Sequence, residues 1–236
     1  MSVQLTGERK ELADVRLLAP VIPRSKIVAV GRNFAAHAAE LGNEVPDTPL
    51  TFFKPNTSVI GPGDAIVYPD ASNEVNFEGE LAVVIGRICK EVPEDRVPEV
   101  IFGYTIANDV TARDLQKKDG QWARAKGFDT FCPLGPWMVT HLTLDEAQNL
   151  QIRTTLDGEL KQDGSTNLMV FDIPQLVAYI SSFTTLLPGD VILTGTPAGV
   201  GLMEPGQEVS IEIESIGTLT NSVVGNGTAN SGEDAE

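Results

Sequence analysis

Two glutamates stand two residues apart in Asn76-Phe77-Glu78-Gly79-Glu80-Leu81, within a strand-like run, and a period of two places both side chains on one face. A later apolar stretch, Ile106-Ala107-Asn108-Asp109-Val110, sets a third carboxylate among apolar neighbours. Three acids gathered on a β-surface repel one another unless a cation joins them. An all-oxygen donor set with water in the remaining positions suits magnesium or manganese rather than zinc. On spacing alone, a solvated pair on an exposed strand face is the competing reading. Glu212 and Glu214 have the same spacing in Ile211-Glu212-Ile213-Glu214 and are expected on such a face. His37 and Glu40 lie three apart in an alanine-rich segment with helical composition, so they share a helix face. A carboxylate bonded to one imidazole nitrogen leaves the other free to take a proton from water, although an ordinary surface pair has the same spacing. His141, in Thr140-His141-Leu142, has no such context and is expected at the surface.

The elements that must position these groups are mostly strands. The pattern predicts a first strand around Val15, Leu17 and Leu18, a buried strand over 26–30, and a short helix over 33–41 with Asn33 as its cap. Strands are expected at 50–53, 66–68, 76–86 and 101–110, then a helical turn at 112–118. Asp157-Gly158 marks a two-residue hairpin turn, and 209–216 alternates as a half-exposed strand. Residues 173–183 form the clearest helix, with Pro174 in its first turn and Leu176, Val177, Ile180 and Phe183 on one side. The glycine-rich run Gly195-Thr196-Pro197-Ala198-Gly199-Val200-Gly201 follows a short strand at 191–194. It lacks a Gly-Lys-Ser/Thr phosphate signature. Residues 225–236 carry no large apolar side chain and are expected to be loose. The pattern is that of one mixed α+β domain dominated by strands.

Composition narrows the function classes. With 42% hydrophobic and 21% charged residues among 236, the chain can bury a continuous core. Seventeen basic against 33 acidic residues give a net charge of −16, which repels phosphate backbones and anionic lipid; neither nucleic acid nor membrane is an expected partner. Cys89 and Cys132 fit neither a disulfide framework nor a zinc spacing and are expected as buried thiols in a reducing cytoplasm. Glu8, Arg9, Lys10 and Glu11 occupy the place where a signal peptide needs an apolar run.

Four segments, in order, resemble the fumarylacetoacetate hydrolase family. They are Glu78-Gly79-Glu80-Leu81-Ala82-Val83-Val84-Ile85-Gly86; Gly103-Tyr104-Thr105 with Asn108-Asp109-Val110-Thr111-Ala112-Arg113-Asp114; Ala125-Lys126-Gly127-Phe128-Asp129; and Leu193-Thr194-Gly195-Thr196-Pro197. The resemblance spans roughly 27–201 and is greatest to the short acylpyruvate hydrolase and oxaloacetate decarboxylase branch. It implies an α+β fold, a mixed β-sandwich roll with short helices. A lead would occupy 1–23, the catalytic domain 24–224, and the tail the rest. The resemblance further implies Mg2+ or Mn2+ held by Glu78, Glu80 and Asp109, a His37–Glu40 general-base pair in a lid helix, and Lys126 as the group that stabilises an oxyanion. Gln116 and Thr196 match substrate-binding positions, Lys54 in Phe53-Lys54-Pro55 is placed towards the site, and Arg113 either binds a substrate carboxylate or, as preferred, locks neighbouring strands. The implied substrate is a small keto acid of the kind met in aromatic catabolism. The implied reaction is hydrolysis of an acylpyruvate such as fumarylpyruvate, with oxaloacetate decarboxylation and isomerisation of a 2-hydroxyhepta-2,4-diene-1,7-dioate as alternatives. Homodimerisation is expected on the same ground.

An excess of acid spread along the whole chain is first of all a solvated acidic surface; the sharper alternative is adaptation to high salt, where screening relieves self-repulsion in the compact state. The midpoint of thermal unfolding is expected to rise between low and molar potassium chloride; a flat or falling midpoint overturns that reading.

Overall fold

Apolar runs without alternation become strands covered on both faces, and this chain lays three of them side by side. The structure, a computed structural model, describes residues 6–227. Its strands are β1 (Ile27–Gly31), β2 (Leu50–Lys54), β3 (Val59–Ile60), β4 (Ile66–Tyr68), β5 (Val75–Phe77), β6 (Gly79–Ile85), β7 (Ile101–Asn108) and β8 (Thr111–Ala112). After these come β9 (Cys132–Val139), β10 (Gln151–Leu156), β11 (Glu159–Ser165), β12 (Val191–Leu193), β13 (Gly201–Leu202), β14 (Glu208–Ile213) and β15 (Gly217–Gly225). The helices are α1 (Ala35–Glu40), α2 (Arg113–Asp119), α3 (Ala123–Lys126), α4 (Leu144–Ala147) and α5 (Ile173–Phe183). A large sheet runs β2-β1-β12-β6-β7-β9-β3, a second β11-β10-β14-β15-β4, and a small third β13-β5-β8. β12 and β6 are buried along their whole length, as the unbroken Val, Ile, Leu and Ala content of β12 and of residues 81–85 in β6 requires.

One face of the large sheet carries Val28, Leu81, Val83, Ile106 and Ile192. It packs on Ile152, Ile211 and Leu219 of the second sheet and on Leu176, Val177 and Ile180 of α5. The opposite face presents the small or short side chains Ala29, Ala82, Ala107 and Val84, with Phe52 of β2 beside Ala29 and Val21 in the same cluster. A third cluster, with Phe77, Val110, Leu115, Ala125 and Phe131, joins the small sheet to α2 and α3. The core therefore fixes the two helices that bear Arg113 and Lys126.

The helix at 173–183 and the strand at 66–68 form as expected. α5 starts where Asp172 accepts from the Gln175 backbone N–H while the Gln175 side chain reaches back, with Pro174 in the first turn. The hairpin turn puts Asp157 at φ 49° and Gly158 at φ 79°, the left-handed pair that a two-residue turn needs. The chain is α+β, and among the described residues no helix is long and apolar enough to cross a membrane. His141, Glu212 and Glu214 are exposed.

Other expectations are corrected. Val15 to Leu18 form no strand; a single helical turn at Leu12–Asp14 precedes an extended segment whose Leu18 is 68% exposed, because no sheet edge is offered to it. Asn33 does not cap α1, whose cap is Phe34. Its side chain is claimed by three buried backbone groups instead: it donates to Thr194 O (2.8 Å) and Phe171 O (3.0 Å) and accepts from Phe171 N (2.8 Å). The strand expected over 76–86 is two strands in different sheets, parted at Glu78. Cys132 is a buried thiol, which burial pushes up to about 12, but Cys89 is only half-buried. β15 went unpredicted because Ser, Thr, Asn and Gly dilute its apolar signal, although Leu219, Asn221 and Val223 alternate inward. Gly225 ends that strand, and the rest of the expected tail, 228–236, lies outside the described residues, as do residues 1–5 of the lead.

Leu176→Ala deletes a side chain packed between α5 and the large sheet. It is expected to cost about 2–5 kcal/mol in urea unfolding, and a loss under about 1 kcal/mol would show that α5 is not part of the main core.

Candidate metal centre

Glu78 occupies the crossing between sheets. Its N–H donates to Asn108 Oδ1 (2.9 Å) and its carbonyl accepts from Asp109 N (2.9 Å), so the crossing is locked to the end of β7. Glu80 lies in β6 opposite Ala107 of antiparallel β7, and Asp109 follows directly after β7. Adjacency of β6 and β7 brings the three acids together. One ligand oxygen from each lies within 4.8 Å of the other two, and all three residues are buried.

The intervening Gly79 has no room for a side chain. A Cβ there would stand 2.5 Å from Thr154 Oγ1. The space is taken by Gln162, whose Oε1 accepts from Gly79 N (3.0 Å) and Thr154 Oγ1 (2.7 Å). Gln162 Nε2 donates to Thr196 Oγ1 (2.7 Å), and that hydroxyl donates to Gly79 O (2.9 Å). Thr154, Gln162 and Asn108 were not singled out from the sequence. The one available signal was that Gln162 and Gly164 fall on the inward face of β11.

Three cations surround the triad. Lys126 Nζ donates to Glu78 Oε2 (2.6 Å) and Asp109 Oδ2 (2.7 Å). Lys54 Nζ donates to Asp109 Oδ1 (2.6 Å) and to the Lys126 carbonyl. Arg113 pairs with Glu78 and donates to Gln116 Oε1 (2.7 Å). Burial works to raise the Glu78 carboxyl, yet Lys126 and then Arg113 hold it well below the usual range. Burial likewise opposes the Lys126 ammonium, and Asp109 and Glu78 overcome it, so that Lys126 stays charged. Among the described residues, Glu80 has no cationic hydrogen-bond partner. It accepts one bond, from Gly195 N (2.7 Å), and burial together with repulsion from Asp109 and Glu78 drives its carboxyl well up. Three hard oxygen donors, one of them with no cation bonded to it, fit a divalent Mg2+ or Mn2+ ion.

A cavity of about 220 Å³ opens onto this cluster, lined by Glu78, Glu80, Lys126, Arg113, Gln116, Thr196 and His37 among others. Lys54, Asp109 and Glu40 are not in its lining; Lys54 stands behind Asp109 as a brace. His37 is buried on α1, with Nδ1 3.4 Å from Glu40 Oε2. Glu40 also accepts from Gly199 N (3.0 and 3.2 Å), which ties α1 to the glycine-rich turn. With Nδ1 directed at Glu40, Nε2 is the nitrogen left for proton transfer.

Residues 26–224 match the protein family described as fumarylacetoacetate (FAA) hydrolase C-terminal. The solved structure of 5-carboxymethyl-2-hydroxymuconate delta-isomerase from Mycobacterium smegmatis is 57% identical, with a TM-score of 0.86, over 93% of this chain and 86% of that one. Oxaloacetate tautomerase Fahd2a, mitochondrial, of Rattus norvegicus is 44% identical over 220 residues, 90% of this chain and 70% of the relative. The structure of fumarylpyruvate hydrolase from Pseudomonas aeruginosa in complex with Mn2+ and pyruvate is 32% identical, with a TM-score of 0.81, over 86% of this chain and 91% of that one.

Millimolar Mg2+ or Mn2+ is expected to raise the melting midpoint of the chelator-treated protein. The shift shrinks as pH falls, since a proton on Glu80 competes with the ion. Glu80→Gln should fold yet lose most of the shift; a full shift in that variant would place the ion elsewhere.

Proposed function

The chain belongs to the fumarylacetoacetate hydrolase family, and on that premise we propose that it is a divalent-metal-dependent hydrolase that cleaves an acylpyruvate of the fumarylpyruvate kind to pyruvate and a carboxylic acid. The observation that carries this reading is a histidine–carboxylate pair and a buried acidic triad with His37, Glu78 and Glu80 lining one cavity. Held by Glu78, Glu80 and Asp109, Mg2+ or Mn2+ would supply Lewis acidity towards the 2-keto acid end of the substrate. His37 Nε2 takes a proton from water while Glu40 steadies the Nδ1–H. The hydroxide so formed adds to the distal carbonyl, the C–C bond breaks, and its electron pair and a proton end on the methyl carbon of pyruvate.

Lys126, at the cavity wall with a charge kept by its neighbours, stabilises the oxyanion that develops. Arg113 has its fork on Glu78 and Gln116, so it orients those two groups, and Gln116 presents its amide to the substrate. Thr196 has its hydroxyl hydrogen on Gly79 O and shapes the cavity floor beside Glu80. Lys54 holds Asp109 in place. The working form in this proposal is a cytoplasmic homodimer, which light scattering on the purified protein checks.

A second reading is supported by the 44% identity to the rat oxaloacetate tautomerase. There His37 would move a proton between C3 and the keto oxygen, with no water consumed. Purified protein is to be compared on fumarylpyruvate, acetylpyruvate and oxaloacetate, each with and without chelator. Chelator-sensitive pyruvate release from an acylpyruvate is expected, and His37→Ala should lower kcat by about a hundredfold or more. A loss under about threefold would remove His37 from the role of base. Enol–keto interconversion of oxaloacetate that outruns all acylpyruvate cleavage would establish the second reading, and release of carbon dioxide would make the enzyme a decarboxylase.

A further inference from the structure

The chain carries a net charge of −16, yet the cavity is lined by five basic groups, Arg32, His37, Arg113, Lys117 and Lys126. Four of the five are already engaged. Lys126 bridges Glu78 and Asp109, Arg113 holds Glu78 and Gln116, His37 faces Glu40, and Lys117 lies 3.5 Å from Glu74. Arg124, two residues beyond Trp122, is clamped by Asp119 through bonds of 2.7 and 2.6 Å. Arg32 differs. Among the described residues its guanidinium makes no hydrogen bond and no ion pair; it rests over the ring of Trp122, 6.0 Å from the centroid. A guanidinium that rests on an indole and has none of its N–H donors taken by another side chain has a fork available for two-point binding of a carboxylate.

The backbone supplies an independent observation. Arg32 has φ 58°, in the left-handed region that favours glycine and asparagine. The other described non-glycine residues with positive φ are Glu91, Thr130, Asp157 and Ser215, and none of them lines the cavity. The platform beneath Arg32 is tightly built. A Cβ on Gly31 would stand 2.5 Å from Trp122 Cζ3, so the indole presses on the end of β1, and Phe52 meets it edge-on with centroids 5.3 Å apart. A conformation that arginine adopts at a cost, on a fixed aromatic platform and in an otherwise charge-paired cavity, marks a position kept for the guanidinium.

We propose that Arg32, stacked on Trp122, binds the second carboxylate of a dicarboxylic 2-keto acid, so that the cavity selects dianionic over monoanionic substrates. This rests on the reading above in that the 2-keto acid end is held at the metal centre. A volume of about 220 Å³ suits a keto acid of a few carbons.

The test is calorimetric binding of 2-oxoglutarate and 2-oxopentanoate to the Mg2+-loaded full chain. These acids have equal carbon count, differ by one carboxylate, and lack the 4-keto group that hydrolysis requires. The wild type is expected to prefer the dicarboxylate by about tenfold or more, the scale of one charge-assisted pair. Arg32→Asn should bring the ratio within about twofold of one. Its melting midpoint should be no lower than the wild type's, because asparagine accepts the left-handed backbone. Arg32→Lys, which keeps the charge and loses the fork, should fall between. Equal binding of both acids by the wild type overturns the proposal, as does a preference that survives Arg32→Asn, or a ratio lost only together with stability. If neither acid binds the loaded protein, this proposal and the proposed reaction both fall. If the preference exists and follows Arg32 while no keto acid is turned over, the carboxylate site stands and only the reaction is lost.

Discussion

Six ionisable groups share the buried end of β6 and β7, and the surrounding structure is arranged so that five of them are paired. Glu78 and Asp109 are tied to Lys54, Arg113 and Lys126 through direct hydrogen bonds, two carboxylates against three cations. Stripping one partner from such a buried pair costs about 3–5 kcal/mol, so each holds the others in place. The three cations come from β2, α2 and α3, which makes charge pairing the clamp that closes these elements over the sheet. Glu80 is the sixth group, and among the described residues it accepts one hydrogen bond, from a backbone N–H, and none from a cation. Its carboxylate is the one of the three with no cation bonded to it.

The His37–Glu40 pair depends on a second long-range constraint. α1 has six residues, too few to be stable in isolation. Its Glu40 is held by the backbone N–H of Gly199, which has φ 100°, and a Cβ there would lie 2.0 Å from Lys161 O. Only glycine fits at that position. The direction of the His37 ring thus depends on a turn far along the chain, and that turn is shaped by the strand whose Gln162 also packs against Gly79. The His37–Glu40 pair and the acidic triad share one scaffold.

What could be read from the sequence is what is local. α5 carries its capping box, its proline and its apolar stripe within eleven residues, and it appears where expected. The carboxylates of Glu78, Glu80 and Asp109 were conspicuous because they interrupt apolar runs, and they do converge. Glu78 and Glu80 face one cavity as the period of two implies, but Glu78 lies between two strands of different sheets rather than within one. Gln162 and Thr154 escaped notice because their value depends on a glycine they meet only after folding. Asn33 was misread for a related reason: three buried backbone groups from distant segments outbid the local preference of asparagine for a helix cap. Arg32 announces itself only through φ and through the partner it lacks.

The cavity's basic lining lies inside an acidic molecule. The buried cluster cancels its own charge, so the −16 of the chain falls on the rest of it, chiefly the exterior. An anionic substrate must therefore cross a repulsive field before it meets Lys126 or Arg32. Dissolved salt screens that outer field over about 8 Å at physiological strength and reaches the enclosed cavity far less. Encounter rates for such a substrate rise with ionic strength, the reverse of an enzyme that steers its ligand by surface charge. The outer surface acts as a kinetic filter against anions that salt opens, while the affinity of the interior for them is left intact.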